Sequence, residues 1–517
     1  MLVAAWITST APSAWASGEP EKSFLYQNFT RARDILDRAV AAHGGPELLD
    51  RSANIRMKVQ GSYVYEAHFA RPWTKRTWTF EGPLLYSADL KALRTEYTFV
   101  ESLKTTPSFL LVGPSNGMQM DAGSKKPDSV ATADLERLTN DELEVLPQEY
   151  LRQARDAAAS LRVLDGATGY DVLTYTLDKD ESRALYFDAK SHLLMRVERI
   201  GHWKHKGDRL EWRTFDGYVS RNGIQVPRRS ESHVEESAAQ HNIVSAIASI
   251  DVGVPVKADE LTIPAAYREG LESWALAKPA VEDPDAPLPY RDLGNGAYII
   301  DCPSSDSRLL LVEFTDHSVI VEAGDTSELG RRILATARTI LPGKPVRYVA
   351  MTHHHPLYAN GLRPYAYEGV TILATPGNVD YYRDLTTRPY RIHPDQQQRT
   401  PRAPKIESFD KVRILEDKKQ RLELHPFSYS SHTDEYVLPY LPSHKLIVTG
   451  DMVYILRDDK ARPANVRELA IHRAVTENKL DVESILQTWF LEKSDPLVPY
   501  AALEAHVQTP KPQTANK

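Results

Sequence analysis

Three consecutive histidines, His353-His354-His355, follow the apolar run Val346-Arg347-Tyr348-Val349-Ala350-Met351 and precede Pro356. Imidazoles at i and i+2 can converge on one cation where the chain turns after a strand, and neutral imidazole is the commonest zinc ligand open to a chain without thiolate pairs. The sequence holds one cysteine, Cys302. That excludes an intramolecular disulfide and every zinc or iron–sulfur site needing two thiolates, so any metal rests on histidine and carboxylate. Two later segments offer partners: Ser431-His432-Thr433, ahead of the run Tyr436 to Leu441, and Leu446-Ile447-Val448-Thr449, which leads directly into Gly450-Asp451. A carboxylate there stands at the C-terminal end of a strand, where sites of α/β sheets collect. Three histidines and an open position bring the pKa of a bound water towards about 7, which supports hydrolysis at neutral pH.

The order of these pieces resembles the metallo-β-lactamase superfamily. The matching motifs are Ser318-Val319-Ile320-Val321-Glu322-Ala323-Gly324-Asp325, a helix, Thr352-His353-x-His355, Ser431-His432-Thr433 and Thr449-Gly450-Asp451, spread over residues 290–517. The resemblance implies a metal-dependent hydrolase with His353, His355, His432 and Asp451 as metal ligands. Departures from the family pattern carry information too. Its first motif is HxHxDH, and here Leu357 and Tyr358 stand at the Asp and second His positions. In the stretch matched to its PGHG-like turn, Asp495-Pro496-Leu497-Val498-Pro499-Tyr500-Ala501, Ala501 stands where the last His would be. The missing ligands all belong to the second metal, which implies a single-metal site holding zinc, with iron as the alternative. Asp451 then either completes the coordination sphere or serves as general base. Tyr358 either donates to an oxyanion or fills the space of the second metal. Asp325 is read as a support and His354 as turned away, since neighbours on extended chain face opposite sides. Asp434-Glu435 replace the family's usual Pro-Gly, which implies a reshaped loop after His432.

The elements that must position these residues fall into an α+β chain: a mainly antiparallel β domain with helices, residues 20–275, and an αββα metallo-β-lactamase-like sandwich, residues 290–517. In the first, Ala32, Ile35, Leu36, Ala39 and Val40 recur at helical spacing after a cap at Thr30, and Gly44-Gly45 stop them. Strands are predicted at Ile55 to Tyr65, Glu66 to Phe69, Lys75 to Phe80, Asp171 to Leu177, Ala184 to Asp188, Leu193 to Ile200, Leu210 to Tyr218 and Ile224 to Arg229. A helical stretch near Leu135 to Leu161, broken at Pro147, interrupts them. This layout resembles the half-barrel of periplasmic lipoprotein-carrier and lipoprotein-sorting proteins, which implies an apolar ligand between sheet and helix. Closely spaced prolines mark residues 276–289 as a linker. After it, strands at Ala297 to Ile300, Arg308 to Phe314, Ser318 to Glu322 and Val346 to Met351, with a helix at Ser327 to Leu341, predict an α/β layered unit.

Composition closes off other classes. At 517 residues, 42% hydrophobic and 26% charged, the chain is an ordinary globular one of two or three domains. A net charge of −7 gives no overall pull on nucleic acid or an anionic membrane. After the N-terminus no apolar run approaches the roughly 18 residues that span a bilayer. Leu2 to Ile7 and the A-x-A pattern Ala14-Trp15-Ala16 predict a signal peptide over residues 1–16 and export to the periplasm. The expected partner is a small-molecule or lipid-like substrate. The sequence thus predicts a metallohydrolase of esters, lactones, amides or similar bonds. Its alternatives are a mononuclear iron oxygenase built on His353, His432 and Asp451, since a 2-His-1-carboxylate face suits Fe(II), and a non-catalytic ligand-binding protein.

Overall fold

The computed structural model describes residues 23–510 apart from 52–53, 66–69, 102–103, 114–116, 121–127, 130–141, 179–180, 204–206, 236–239, 263–285, 458, 490 and 492. The expected signal peptide, the strand Glu66 to Phe69 and residues 276–285 of the expected linker lie outside the described residues.

The first half opens with the helix Phe24–Ala42, whose buried stripe is Ala32, Ile35, Leu36, Ala39 and Val40, as their spacing predicts. Its cap is Ser23, whose hydroxyl accepts from the Tyr26 amide. Thr30 is not the cap: it lies inside the helix and its hydroxyl donates to the Tyr26 carbonyl. Phe24, Leu25 and Tyr26 are exposed, so the first turn carries no core periodicity by which a sequence could place it. Residues 135–141 of the expected helical stretch lie outside the described residues; Glu142 and Leu143 are helical, the chain then turns, and Pro147 opens the helix Pro147–Asp156, at the position where its missing N–H has no intrahelical partner to lose.

Thirteen antiparallel strands form one sheet in this half. It consists of two meanders joined where Asn54–Tyr65 pairs with Gln240–Val252, Ile55 opposite Val252, with a register shift between Lys58 and Val59. Ala92–Glu101, Lys104–Val112 and Gln240–Val252 are strands the sequence did not announce. The first two are rich in threonine and charge and hold their place by cross-strand pairing, Leu93 opposite Val112. Leu36, Tyr150, Leu173, Tyr175, Phe187 and Phe215, each at most 1% exposed, fill the space between helices and sheet.

The second half is a four-layer sandwich. A seven-stranded sheet from Tyr290–Gly294 to Lys405–Ser408 faces a six-stranded sheet from Arg413–Glu416 to Leu497–Pro499. Alternate residues of each strand meet between the sheets: Ile299, Leu310, Val319, Val321 and Ala350 against Leu422, Leu424, Val437, Leu446 and Val448. The other face of the first sheet packs Ile320, Val349 and Ile372 on the helices Ser327–Ile340, Leu362–Glu368 and Val379–Thr387. The other face of the second packs Leu438, Ile447 and Ile485 on Val466–Glu477 and Tyr500–Gln508. Helix, sheet, sheet, helix is the expected layer order. Ser318–Val321, Val346–Ala350 and Thr371–Ala374 run parallel, as do Leu446–Val448 and Ser484–Leu486, so the loops at their C-terminal ends gather on one side.

Candidate metal centre

At that side, Thr352 to His355 leave the strand Val346–Ala350 and turn into the short helix Pro356–Ala359. His353, His355, His432 and Asp451 each offer one donor atom, and these four atoms lie within 4.8 Å of one another. His432 Nε2 is 3.3 Å from His353 Nε2 and 2.9 Å from Asp451 Oδ2, and His353 Nε2 is 3.5 Å from Asp451 Oδ1. His354 is outside this group, its ring edge-on to Tyr381 at 6.0 Å, as the alternation of extended chain predicts.

Each donor is held from behind. The ring of His353 stacks on Tyr436, centroids 5.0 Å apart. Thr352 Oγ1 donates to Glu322 Oε1 at 2.7 Å, and the same oxygen lies 3.0 Å from His353 Nδ1. With the Thr352 proton on Glu322, Oγ1 can accept from Nδ1–H, and in that tautomer Nε2 presents its lone pair to the cluster. Glu322 is buried and has a left-handed backbone at φ +80°. Burial, countered in part by its bonds from Thr352, pushes its carboxyl up to about 8. Gly450 has φ +51°, and a Cβ there would stand 2.5 Å from the Tyr436 hydroxyl and 2.6 Å from Thr352 Oγ1. Only glycine brings Asp451 this close. Arg467, in the first turn of Val466–Glu477, donates to the Asp451 carbonyl at 3.2 Å and puts its guanidinium 3.5 Å from Oδ2.

Tyr358, an expected catalytic residue, is buried, its ring centroid 4.5 Å from that of His353. Its hydroxyl accepts from Trp489 Nε1, and burial first, with Asp451 nearby second, holds its pKa well above the usual value. Ala501 needs correcting. It is exposed on the helix Tyr500–Gln508, whereas Gln487-Thr488-Trp489 leaves Ser484–Leu486 beside Thr449-Gly450-Asp451. The residue at the site's edge in that region is Trp489. Two hydrogen-bonded aromatic side chains, Tyr358 and Trp489, thus stand next to the four donors.

The reshaped loop after His432 is anchored at both carboxylates. Glu435 accepts from the Gly377 amide at 3.0 and 2.9 Å. Asp434 accepts from Arg71 Nε at 2.6 Å and donates its amide to the Ala70 carbonyl at 2.7 Å. Trp73 meets Tyr381 edge-on at 5.2 Å. Residues of the N-terminal half therefore reach the loop that carries His432. Sequence reasoning missed Glu322, Thr352, Arg467 and Trp489. Thr352 adjoins the His motif and Glu322 ends a matched strand, so both were within reach, but the Trp489 and Arg71 contacts span 131 and 363 residues.

The donor set suits a divalent cation. Asp451 Oδ1 is buried among the donors with no hydrogen-bond partner, and two imidazole nitrogens at 3.3 Å face each other and a carboxylate. A cation there would satisfy all of these atoms.

No protein-family model matches the chain, and no curated protein matches it. Among solved structures, a metallo-β-lactamase from Pontibacter korlensis is 19% identical, with 43% of this chain and 97% of that chain covered and a TM-score of 0.32. The metallo-β-lactamase FIM-1 from Pseudomonas aeruginosa, in a mono-zinc form, is 16% identical over 44% of this chain and 96% of that chain, TM-score 0.32. An inverting sec-alkylsulfatase from Pseudomonas sp. is 14% identical over 42% of this chain and 40% of that chain, TM-score 0.30.

Proposed function

We propose that the chain is a metal-dependent hydrolase acting through one divalent ion held by His353, His355, His432 and Asp451. The observation that carries this is the convergence of four donor atoms within 4.8 Å, one of them a buried carboxylate oxygen with no hydrogen-bond partner. A bound ion supplies Lewis acidity, polarising the substrate's scissile oxygen and acidifying water. The chain does the rest. Thr352 and Glu322 keep His353 in the tautomer with Nε2 unprotonated. Asp451 presents two oxygens, so one can complete the donor set while the other takes the proton of the attacking water. Arg467, 3.5 Å from Asp451 Oδ2, offers positive charge beside the donors for the oxygen that becomes negative. Tyr358, kept protonated by burial, packs against the His353 ring.

The substrate class is an ester, lactone, amide or similar bond of a small-molecule or lipid-like compound, and the expected location is the periplasm. Elemental analysis of purified protein should find about one zinc per chain, and a panel of ester, lactone and amide substrates should give turnover that chelation abolishes. Two tightly bound ions would refute the single-site reading. His353, His432 and Asp451, 2.9 to 3.5 Å apart at their donor atoms, also make the two-histidine, one-carboxylate set that suits iron. One equivalent of iron with dioxygen consumption would replace hydrolysis by oxygenation. Ligand binding undiminished by His353→Ala and His432→Ala, with no turnover anywhere in the panel, would make the chain a binder.

A further inference from the structure

A second cavity, of about 380 Å3, lies away from the metal centre. Arg402 precedes the strand Lys405–Ser408 at its N-terminal end, whereas the metal centre sits at the C-terminal ends of the strands parallel to it. Four arginines line the cavity, Arg363, Arg388, Arg391 and Arg402, with threonine, glutamine, proline and alanine; no aspartate or glutamate does. Two of the four form a neutralised back wall. Arg363, 1% exposed, holds Asp395 with two bonds of 2.7 and 2.8 Å, donates to the Arg388 carbonyl at 2.6 Å and lies over the Tyr390 ring. Arg388 pairs with Asp384 at 2.5 Å.

Arg391 and Arg402 differ. Both are exposed at the rim, and among the described residues neither guanidinium has a carboxylate partner; Arg402 rests over the ring of Tyr367. Asp208 of the N-terminal sheet is engaged by the amides of Arg391 and Ile392 and by the His202 ring, 2.9 Å from Nδ1. That contact fixes the segment carrying Arg391. The cavity therefore presents two uncompensated guanidiniums, on a braced frame, around a space of small-molecule size.

We propose that this cavity binds a small anionic compound through an oxyanion group, phosphate, sulfate or carboxylate, gripped by Arg391 and Arg402. Planar guanidinium forks match all three oxyanions with paired hydrogen bonds. Binding here is independent of the chemistry assigned to the metal centre.

Isothermal titration of the full-length, metal-loaded protein at low ionic strength, with inorganic phosphate, sulfate and succinate as separate probes, tests it. One of the three should bind saturably at one per chain, and the tightest names the class. R391A/R402A should weaken that binding roughly 10- to 100-fold, the equivalent of about 1.5–3 kcal/mol for lost hydrogen bonds to a charged group. R391K/R402K, which keeps the charge but not the fork, should fall between. R399A removes an exposed arginine that does not line the cavity and should change nothing. An unfolding temperature equal to wild type will show that the variants are folded. Absence of saturable binding by all three probes overturns the proposal. So does binding that R391A/R402A leaves intact, which would place the anion at the metal centre if chelation removes it, or an equal loss in R399A, which would reduce the effect to surface charge.

Discussion

Glu322 shows how much of the site depends on residues that touch no ligand. Its left-handed backbone, φ +80°, is uncommon for any residue with a side chain and persists only where surroundings impose it. Here the imposition is visible: its amide donates to the Ala350 carbonyl and its carboxyl receives both bonds of Thr352. Because burial raises its carboxyl to about 8, Glu322 is mainly neutral at pH 7, and glutamine is its nearest mimic. Glu322→Gln should keep near-normal zinc affinity. Glu322→Ala should weaken it about 10- to 100-fold, the usual cost of an outer-sphere partner, as read by competition with a chromogenic chelator. The same shift has a sign in stability. A carboxyl whose folded pKa is raised contributes fully below its unfolded value and loses that contribution as pH rises through about 8. The metal-free protein should therefore weaken to denaturant between pH 6 and 9, and Glu322→Gln should flatten the slope; parallel slopes would show Glu322 to be charged. Asp451→Asn separates binding from proton transfer. It retains a weak oxygen donor but no basic carboxylate, so turnover should fall by orders of magnitude while metal content changes much less. Near-normal turnover would make Asp451 purely structural.

At the scale of elements, the site is built where strands end, and this is the part the sequence displays well. Leu446–Val448 is an apolar run, buried throughout, that ends just before Thr449-Gly450-Asp451, because a strand buried on both faces has no alternation to hide its limits; Val346–Ala350, with Arg347 exposed and Val349 and Ala350 buried, leads into Thr352-His353. What stays illegible is which turn lies beside which. The sequence matches Ala501 to the last ligand position, and only the parallel pairing of Leu446–Val448 with Ser484–Leu486 brings the segment of Trp489 beside Asp451 instead. The segment carrying Trp489 is held by Arg308, whose side chain is fully buried. Its guanidinium donates to the carbonyls of Leu491 at 2.9 Å and Ser494 at 3.1 Å and to the Ser494 hydroxyl at 3.0 Å. Arg308→Met fills similar volume but orphans these acceptors, and should cost about 3–5 kcal/mol in denaturant unfolding, the range for breaking a buried charged network from one side. Trp489→Phe removes the bond to Tyr358 and part of a half-buried aromatic ring, so its cost should be about 1–2 kcal/mol. If Arg308→Met costs no more than Trp489→Phe, the segment is held by its apolar contacts and not by Arg308.

At the scale of the whole molecule, two bodies of core meet at a narrow polar seam. Among the described residues, the buried clusters of the sandwich draw on none before Leu288, and those of the N-terminal half on none after Leu261. Across the seam run Arg71 to Asp434, Ala70 to the Asp434 amide, Asp208 to the amides of Arg391 and Ile392, and the edge of Trp73 on Tyr381. Gly207, at φ +79°, lets the chains approach, since a Cβ there would stand 2.5 Å from the Pro389 carbonyl. The side chains of Arg71 and Asp434 are 74% and 45% exposed, so solvent screens their ion pair and it contributes little to stability. No periodicity or motif in the sequence marks such contacts, because they are made by turn residues of ordinary composition far apart in the chain. A separate core and a thin seam lead to a specific expectation for residues 286–517 produced alone. All four donors lie between His353 and Asp451 and are braced by Glu322, Thr352, Tyr436 and Gly450, every one inside the fragment. The fragment should fold and bind close to one zinc per chain. Its amide exchange should quicken at Asp434, Arg391 and Ile392, which lose acceptors supplied by the N-terminal half, while the Val437 amide, bonded to the Thr352 carbonyl at 2.7 Å, stays protected. A fragment that folds but holds no zinc would mean that the N-terminal half, through Arg71 and the Asp434 loop, sets the position of His432. Unchanged exchange at Asp434 would mean that the seam is not formed in solution.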